Sequence, residues 1–144
     1  MATLSFDGII GGPHELLAAA SPQNLTAAWA DLGAELSVWG ASSIALWVNL
    51  DINNSVNARV RLLAKHTSAG TDEYVLPIRT VGASAVLVED EYIEFNVDAD
   101  QKMALSWDLN GLVPYVQFQV MAEVAGTTPG QIDSAFVTTA LRSV

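Results

Sequence analysis

Between Ile44 and Asp51 the chain alternates with period two. Ile44, Leu46, Val48 and Leu50 share one face, and Ala45, Trp47, Asn49 and Asp51 share the other. Successive strand residues point to opposite sides of a sheet, so this register describes a β-strand with one face in a core. The pattern recurs. Val60, Leu62 and Ala64 lie opposite Arg59, Arg61 and Lys65, and Ile93, Phe95 and Val97 alternate with Glu94 and Asn96. Met103, Leu105, Trp107 and Leu109 alternate with Lys102, Ala104, Ser106 and Asp108. Val116 to Val124 alternates with Tyr115, Gln117, Gln119, Met121 and Glu123. Ile132 to Leu141 is apolar or small on both faces, which predicts a strand covered twice. No stretch of ten or more residues carries helical periodicity.

Turn residues punctuate these runs: Asn53-Asn54-Ser55, Ser68-Ala69-Gly70, Asp98-Ala99-Asp100, Asn110-Gly111 and Pro129-Gly130. Asn110-Gly111 is the strongest hairpin signal, because both residues accept positive φ. The pattern places strands near 26–31, 34–39, 43–52, 58–67, 72–78, 85–97, 101–109, 113–125 and 131–142. Short strands at regular spacing predict an all-β, antiparallel β-sandwich of jelly-roll type over residues 25–144. Residues 1–24 read as an irregular N-terminal arm. Gly8, Gly11, Gly12 and Pro13 interrupt any regular element after Leu4–Ile10, and Glu15–Ala20 can form one helical turn before Ser21-Pro22. Such an arm either pairs a terminal strand with its own sheet or reaches a neighbouring subunit.

Composition narrows the function classes. The chain has 144 residues, 51% of them hydrophobic and 15% charged, against about 25% charged in an average soluble domain. Its most apolar stretch, Ile44–Leu50, is far shorter than the ~20 residues of a membrane helix. A membrane role is therefore not expected, and no charged segment with an apolar run marks a secretory signal. Apolar surface covered by other copies of the chain accounts for the excess. Sixteen acids against six bases give a net charge of −10. That field repels phosphate backbones, so no direct nucleic-acid binding is expected.

The residues offer little chemistry. Without cysteine there is no thiol nucleophile and no thiolate metal site. His14 and His66 lie far apart in sequence, and no serine elbow accompanies either. Glu89, Asp90, Glu91 and Glu94, with Asp98 and Asp100 beyond, read as a solvated strand end rather than a glycosidase pair. Asp51–Ser55 opens like a calcium loop, but Val56 and Leu62 stand where the loop needs Gly and Glu. The expectation is a protein that is not an enzyme and holds no cofactor, with neither catalytic nor metal-binding residues.

Binding residues are easier to nominate. Arg59 and Arg61 share one face, available either to cross-strand acids such as Asp72 and Glu73 or to another subunit. Trp107 falls in the apolar register and reads as core. Trp47 falls out of register and faces a second layer or a partner. Trp29 and Trp39 flank a turn at Gly33. Trp47, Arg59, Arg61, Trp29 and Trp39 are thus the interface candidates. Exposed aromatics among them would also suit a sugar platform.

The stretches WADLGAELSVWGASSIALWVNLDINNS (29–55), RVRLLAKHTSAGTDEY (59–74) and VPYVQFQ (113–119) resemble small virion proteins of tailed bacteriophages, above all capsid decoration, or cement, proteins. The resemblance covers residues 25–140 and assigns no individual functional residue. It implies a compact β-domain that forms a homotrimer on the phage head and locks the major capsid protein in place. It further implies a virion location after assembly in the host cytoplasm. A carbohydrate-binding module, or a tail or connector component of a phage particle, is the alternative.

Overall fold

The computed structural model describes residues 11–81, 87–95 and 101–141. Among them there are twelve strands and no helix: β1 (Gly11–Leu17), β2 (Gln23–Asn24), β3 (Ala30–Ser37), β4 (Ala41–Asp51), β5 (Val56–Lys65), β6 (Tyr74–Val75), β7 (Ile78–Val81), β8 (Leu87–Asp90), β9 (Ile93–Phe95), β10 (Gln101–Asp108), β11 (Tyr115–Val124) and β12 (Gln131–Leu141). A front sheet runs β1-β12-β4-β10, with β2 also on β12. A back sheet runs β3-β11-β5-β6, with β9 also on β5. All pairings are antiparallel. The β7–β8 hairpin stands as a separate pair.

The two sheets pack face to face through the residues that the period-two pattern turns inward. Ile44, Leu46, Val48 and Leu50 of β4 meet Val60, Leu62, Val116, Phe118 and Val120 of the back sheet in one continuous core. Trp107 sits edge-on to Phe118, with ring centroids 5.5 Å apart, so Trp107 is core as its register predicts. Burial at about 25 cal/mol per Å² of apolar surface makes these layers the main stabilising contribution. β12, expected to be covered twice, runs between β1 and β4 in the front sheet but is covered by the chain on one face only: Ile132, Ala135 and Val137 are buried, while Phe136 is exposed.

Consecutive long strands lie in opposite sheets. β3, β5 and β11 are in the back, and β4, β10 and β12 in the front. The Asn110-Gly111 turn forms as its residues require, with φ of 55° and 70° and Leu112 N–H donating to Leu109 O. It does not close a hairpin, however. It carries the chain from β10 in the front sheet to β11 in the back. Ser42 and Ala41 carbonyls accept from Leu109, Asn110 and Gly111 and hold the turn over the end of β4. Local sequence sets the turn conformation, and packing sets which strands it joins.

Several boundaries differ from the periodic reading. The two strands expected at 26–31 and 34–39 are one strand, β3, with a bulge where Gly33 takes φ +69°. A β-carbon on Gly33 would lie 2.5 Å from Leu16 Cδ1, so glycine here admits β1 against β3 rather than ending a strand. The strand expected at 72–78 shortens to β6, with β7 beginning at Ile78, and that at 85–97 divides into β8 and β9 around a bend at Glu91-Tyr92. Of the arm read at 1–24, residues 11–17 are β1, paired with β12. The helical turn expected at Glu15–Ala20 does not form. Glu15–Leu17 are extended, and Ala18–Ser21 make a tight turn closed by Ser21 N–H on Ala18 O. Pairing with a partner strand outweighs the weak helical preference of a six-residue segment. The strand expected within Leu4–Ile10, the turn at Asp98–Asp100 and the side chains of Glu89 and Asp90 lie outside the described residues.

Candidate functional site

The outer face of the front sheet follows from strand register. Across its middle run Ala104, Trp47, Phe136 and Glu15, one residue from each of β10, β4, β12 and β1. On one side of this row lie Ser106, Ala45 and Thr138, and on the other Lys102, Asn49 and Ser134. The residues between the two aromatic rings and the outer strands are small or neutral, with Glu15 on β1 and Lys102 on β10 as the charges at the margins. Trp47 is 49% exposed and Phe136 36%. Trp47 Nε1 donates to Thr138 Oγ1 at 2.9 Å, which fixes the indole across the strands. A depression of 470 Å³ opens here, lined by Trp47, Asn49, Lys102, Ala104, Ser134 and Phe136 together with Val48 and Met103. An exposed, oriented aromatic pair with polar groups at its margin suits a flat apolar partner surface or a sugar ring. It holds no acid–base pair in reacting geometry.

The outer face of the back sheet is built differently. Arg61 Nε and Nη2 both donate to Gln119 Oε1, at 2.9 and 2.6 Å, and Gln119 Nε2 donates to Asp31 Oδ1 at 2.9 Å. The Arg61 guanidinium also lies 4.3 Å from the centroid of the Trp29 ring. Burial pushes its pKa below the ordinary value, with Glu73 and Glu91 opposing that shift. Arg59 Nε donates to Glu94 Oε2 at 2.6 Å, and its guanidinium lies 4.9 Å from the Tyr92 ring. The Glu94 hydrogen bond holds Arg59 above its usual pKa. Trp29 and Tyr92 touch with ring centroids 6.1 Å apart. Both arginines thus share one face, as the register predicts. Arg59 pairs with the acidic strand β9 and with Glu123, not with Asp72 or Glu73.

The remaining nominees scatter. Trp39 is 49% exposed in the Val38–Ala41 turn, where Ala41 N–H reaches Val38 O and Gly40 has φ +90°. It does not join Trp29, since β3 runs between them rather than the expected turn at Gly33. Lys65 pairs with Glu35 and Glu73. Ala69 N–H bonds both oxygens of Glu35, and this holds the carboxyl below its ordinary range, helped by Lys65 and opposed by burial. His66 is exposed, 3.9 Å from Asp72. Asn53-Asn54-Ser55 form a turn: Asn53 takes φ +43°, and buried Ser55 donates to Ala125 O and accepts from Gly130 N–H. Among the described residues no three His, Asp or Glu side chains are grouped as a metal site.

Sequence reasoning missed three participants. Phe136 hides in a run that is apolar on both faces, so no alternation marks it as outward. Gln119 is the hub of the arginine network yet reads as an ordinary polar strand residue. Tyr92 falls within the acidic segment, which reads as a solvated strand end, and it reaches Trp29 from the bend at Glu91-Tyr92. For Phe136, the alternation of β4 across the pairing would have sufficed, because Phe136 sits opposite Trp47. No protein-family model matches the chain, and no curated protein matches it.

Proposed function

We propose that this chain is an assembly module, a structural virion protein of the capsid-decoration kind, which docks through the outer face of its front sheet. The observation that carries the docking surface is the Trp47–Phe136 pair, half-exposed on neighbouring strands, with the indole anchored to Thr138. Aromatic residues in such a setting are the usual anchors of protein interfaces. The reading as a jelly roll rests on strand order. In its support, consecutive long strands alternate between the sheets along the paths β1-β12-β4-β10 and β3-β11-β5-β6, as a double Greek key of the kind found in viral capsid and lectin domains requires. The net charge of −10 suits the outside of a shell better than its nucleic-acid-lined interior. The resemblance to cement proteins supplies the remaining parts of the reading: self-association, the major capsid protein as partner, and a virion location.

The test is co-sedimentation with shells of the major capsid protein from the same genome. The chain pellets with the shells, and Trp47→Asp abolishes pelleting while the far-ultraviolet spectrum is unchanged. A chain that stays in the supernatant with intact shells overturns the reading. A second reading is favoured by the same depression. Asn49, Lys102 and Ser134 surround the aromatic pair, as polar groups do in a site where a sugar ring stacks on an indole. Saturable quenching of tryptophan fluorescence by a polysaccharide, lost in Trp47→Ala, would move the assignment to carbohydrate binding.

A further inference from the structure

We infer that strand β10 pairs edge to edge with β10 of a second copy about a two-fold axis through Leu105. It shares with the virion reading only the presence of a second copy. Among the described residues, the other outer strands of the two packed sheets are irregular or short. β1 carries register shifts on both sides of His14-Glu15, and β3 is bulged at Gly33. β6 and β9 span only two and three residues. Bulges and short edges are standard devices against added strands. β10 has neither. It runs eight residues in unbroken register, from Gln101 opposite Leu50 to Asp108 opposite Ser43. Among the described residues it pairs with β4 alone. Alternate backbone N–H and C=O groups of β10 point away from β4, where no described strand pairs with them.

The side chains select both partner and register. Lys102 and Asp108 are exposed and lie on the same outer face, six residues apart. In an antiparallel pair of two β10 strands centred on Leu105, Lys102 falls opposite Asp108 of the partner subunit, and Asp108 opposite Lys102 of the partner subunit. Ala104 meets Ser106 of the partner subunit, so nothing bulky stands between the charges. Shifting the centre by one residue along the same face leaves Asp108 without Lys102 opposite it. A lone edge lysine opposes pairing, but matched with Asp108 it specifies one register. Such a contact is isologous and closed, so it ends at a dimer rather than a fibre.

The test is sedimentation velocity with light scattering on the full chain over a wide concentration range. The wild type is a dimer at high concentration. Asp108→Lys and Lys102→Asp, each placing like charges opposite, weaken dimerisation at least about tenfold. The double variant combining Lys102→Asp with Asp108→Lys recovers it to within about threefold. Recovery in the double variant separates a broken contact from a misfolded chain, and circular dichroism of each single variant checks the fold directly. A monomer at every concentration overturns the inference, as does a dimer insensitive to both single reversals. A trimer also overturns it while favouring the threefold decoration reading. Loss of shell binding in the sedimentation assay bears on that reading and not on this contact.

Discussion

The two sheets turn opposite characters outward. The back sheet presents arginines, glutamines and acids, yet these are bound to one another: Arg61 to Gln119 and Trp29, Gln119 to Asp31, Arg59 to Glu94. The front sheet presents fewer charges, yet its Trp47 and Phe136 rings are half-open. The more heavily charged face thus satisfies its groups within the chain, while the less charged one leaves two aromatic rings half-open. Polarity alone does not mark a binding surface; unfinished burial does.

Four changes would break or sharpen that contrast. Gln119→Ala should cost most, about 2–3 kcal/mol in urea unfolding, because it strips a half-buried guanidinium of two hydrogen bonds and leaves Asp31 without its donor. Trp47→Ala should cost about 1–2 kcal/mol from its half-buried surface while removing partner binding altogether. A larger loss than in Gln119→Ala would make the front aromatic structural and dissolve the distinction. Third, the acid limb of stability should respond to Glu35. Its folded pKa lies below the ordinary value of 4.5, so the stability it contributes is present above that value and is lost as pH falls through the lowered one. Glu35→Gln should flatten this fall in unfolding measured between neutral pH and pH ~3. The smallest effect belongs to Thr138→Val, which removes the Trp47 hydrogen bond at an exposed position. Thermal unfolding should move by less than about 0.5 kcal/mol, while binding through Trp47 weakens as the indole loses its fixed orientation.

Much of the fold was legible because strands write their faces in alternate letters. The inward register of β4 matches its buried residues, and those of β5, β10 and β11 match over most of their length; Val124 is the exception, read as inward but 52% exposed, and Trp107 and Trp47 are assigned correctly to core and outside. Legibility failed where a signal was local but its meaning was not. Asn110-Gly111 specifies a turn with two positive φ values, and that geometry serves a link between sheets as readily as a hairpin. Gly33 looks like a strand break because glycine favours turns, yet here it makes room for Leu16. Of the candidate site, Trp47 was visible, and Phe136 was not, since its strand is apolar on both sides.

By itself the sequence determined an all-β chain, the inward face of each long strand, the turn conformations and a surplus of apolar surface over charge. These follow from side-chain period and backbone preference, which act over a few residues. Packing of the two sheets set which strands became neighbours, gave Arg59 and Arg61 partners within the chain, and put Trp47 opposite Phe136 on an outer face. Those outcomes depend on pairings between residues 35 to 91 positions apart. No local pattern encodes such a separation; it is set by the packing of the whole sandwich.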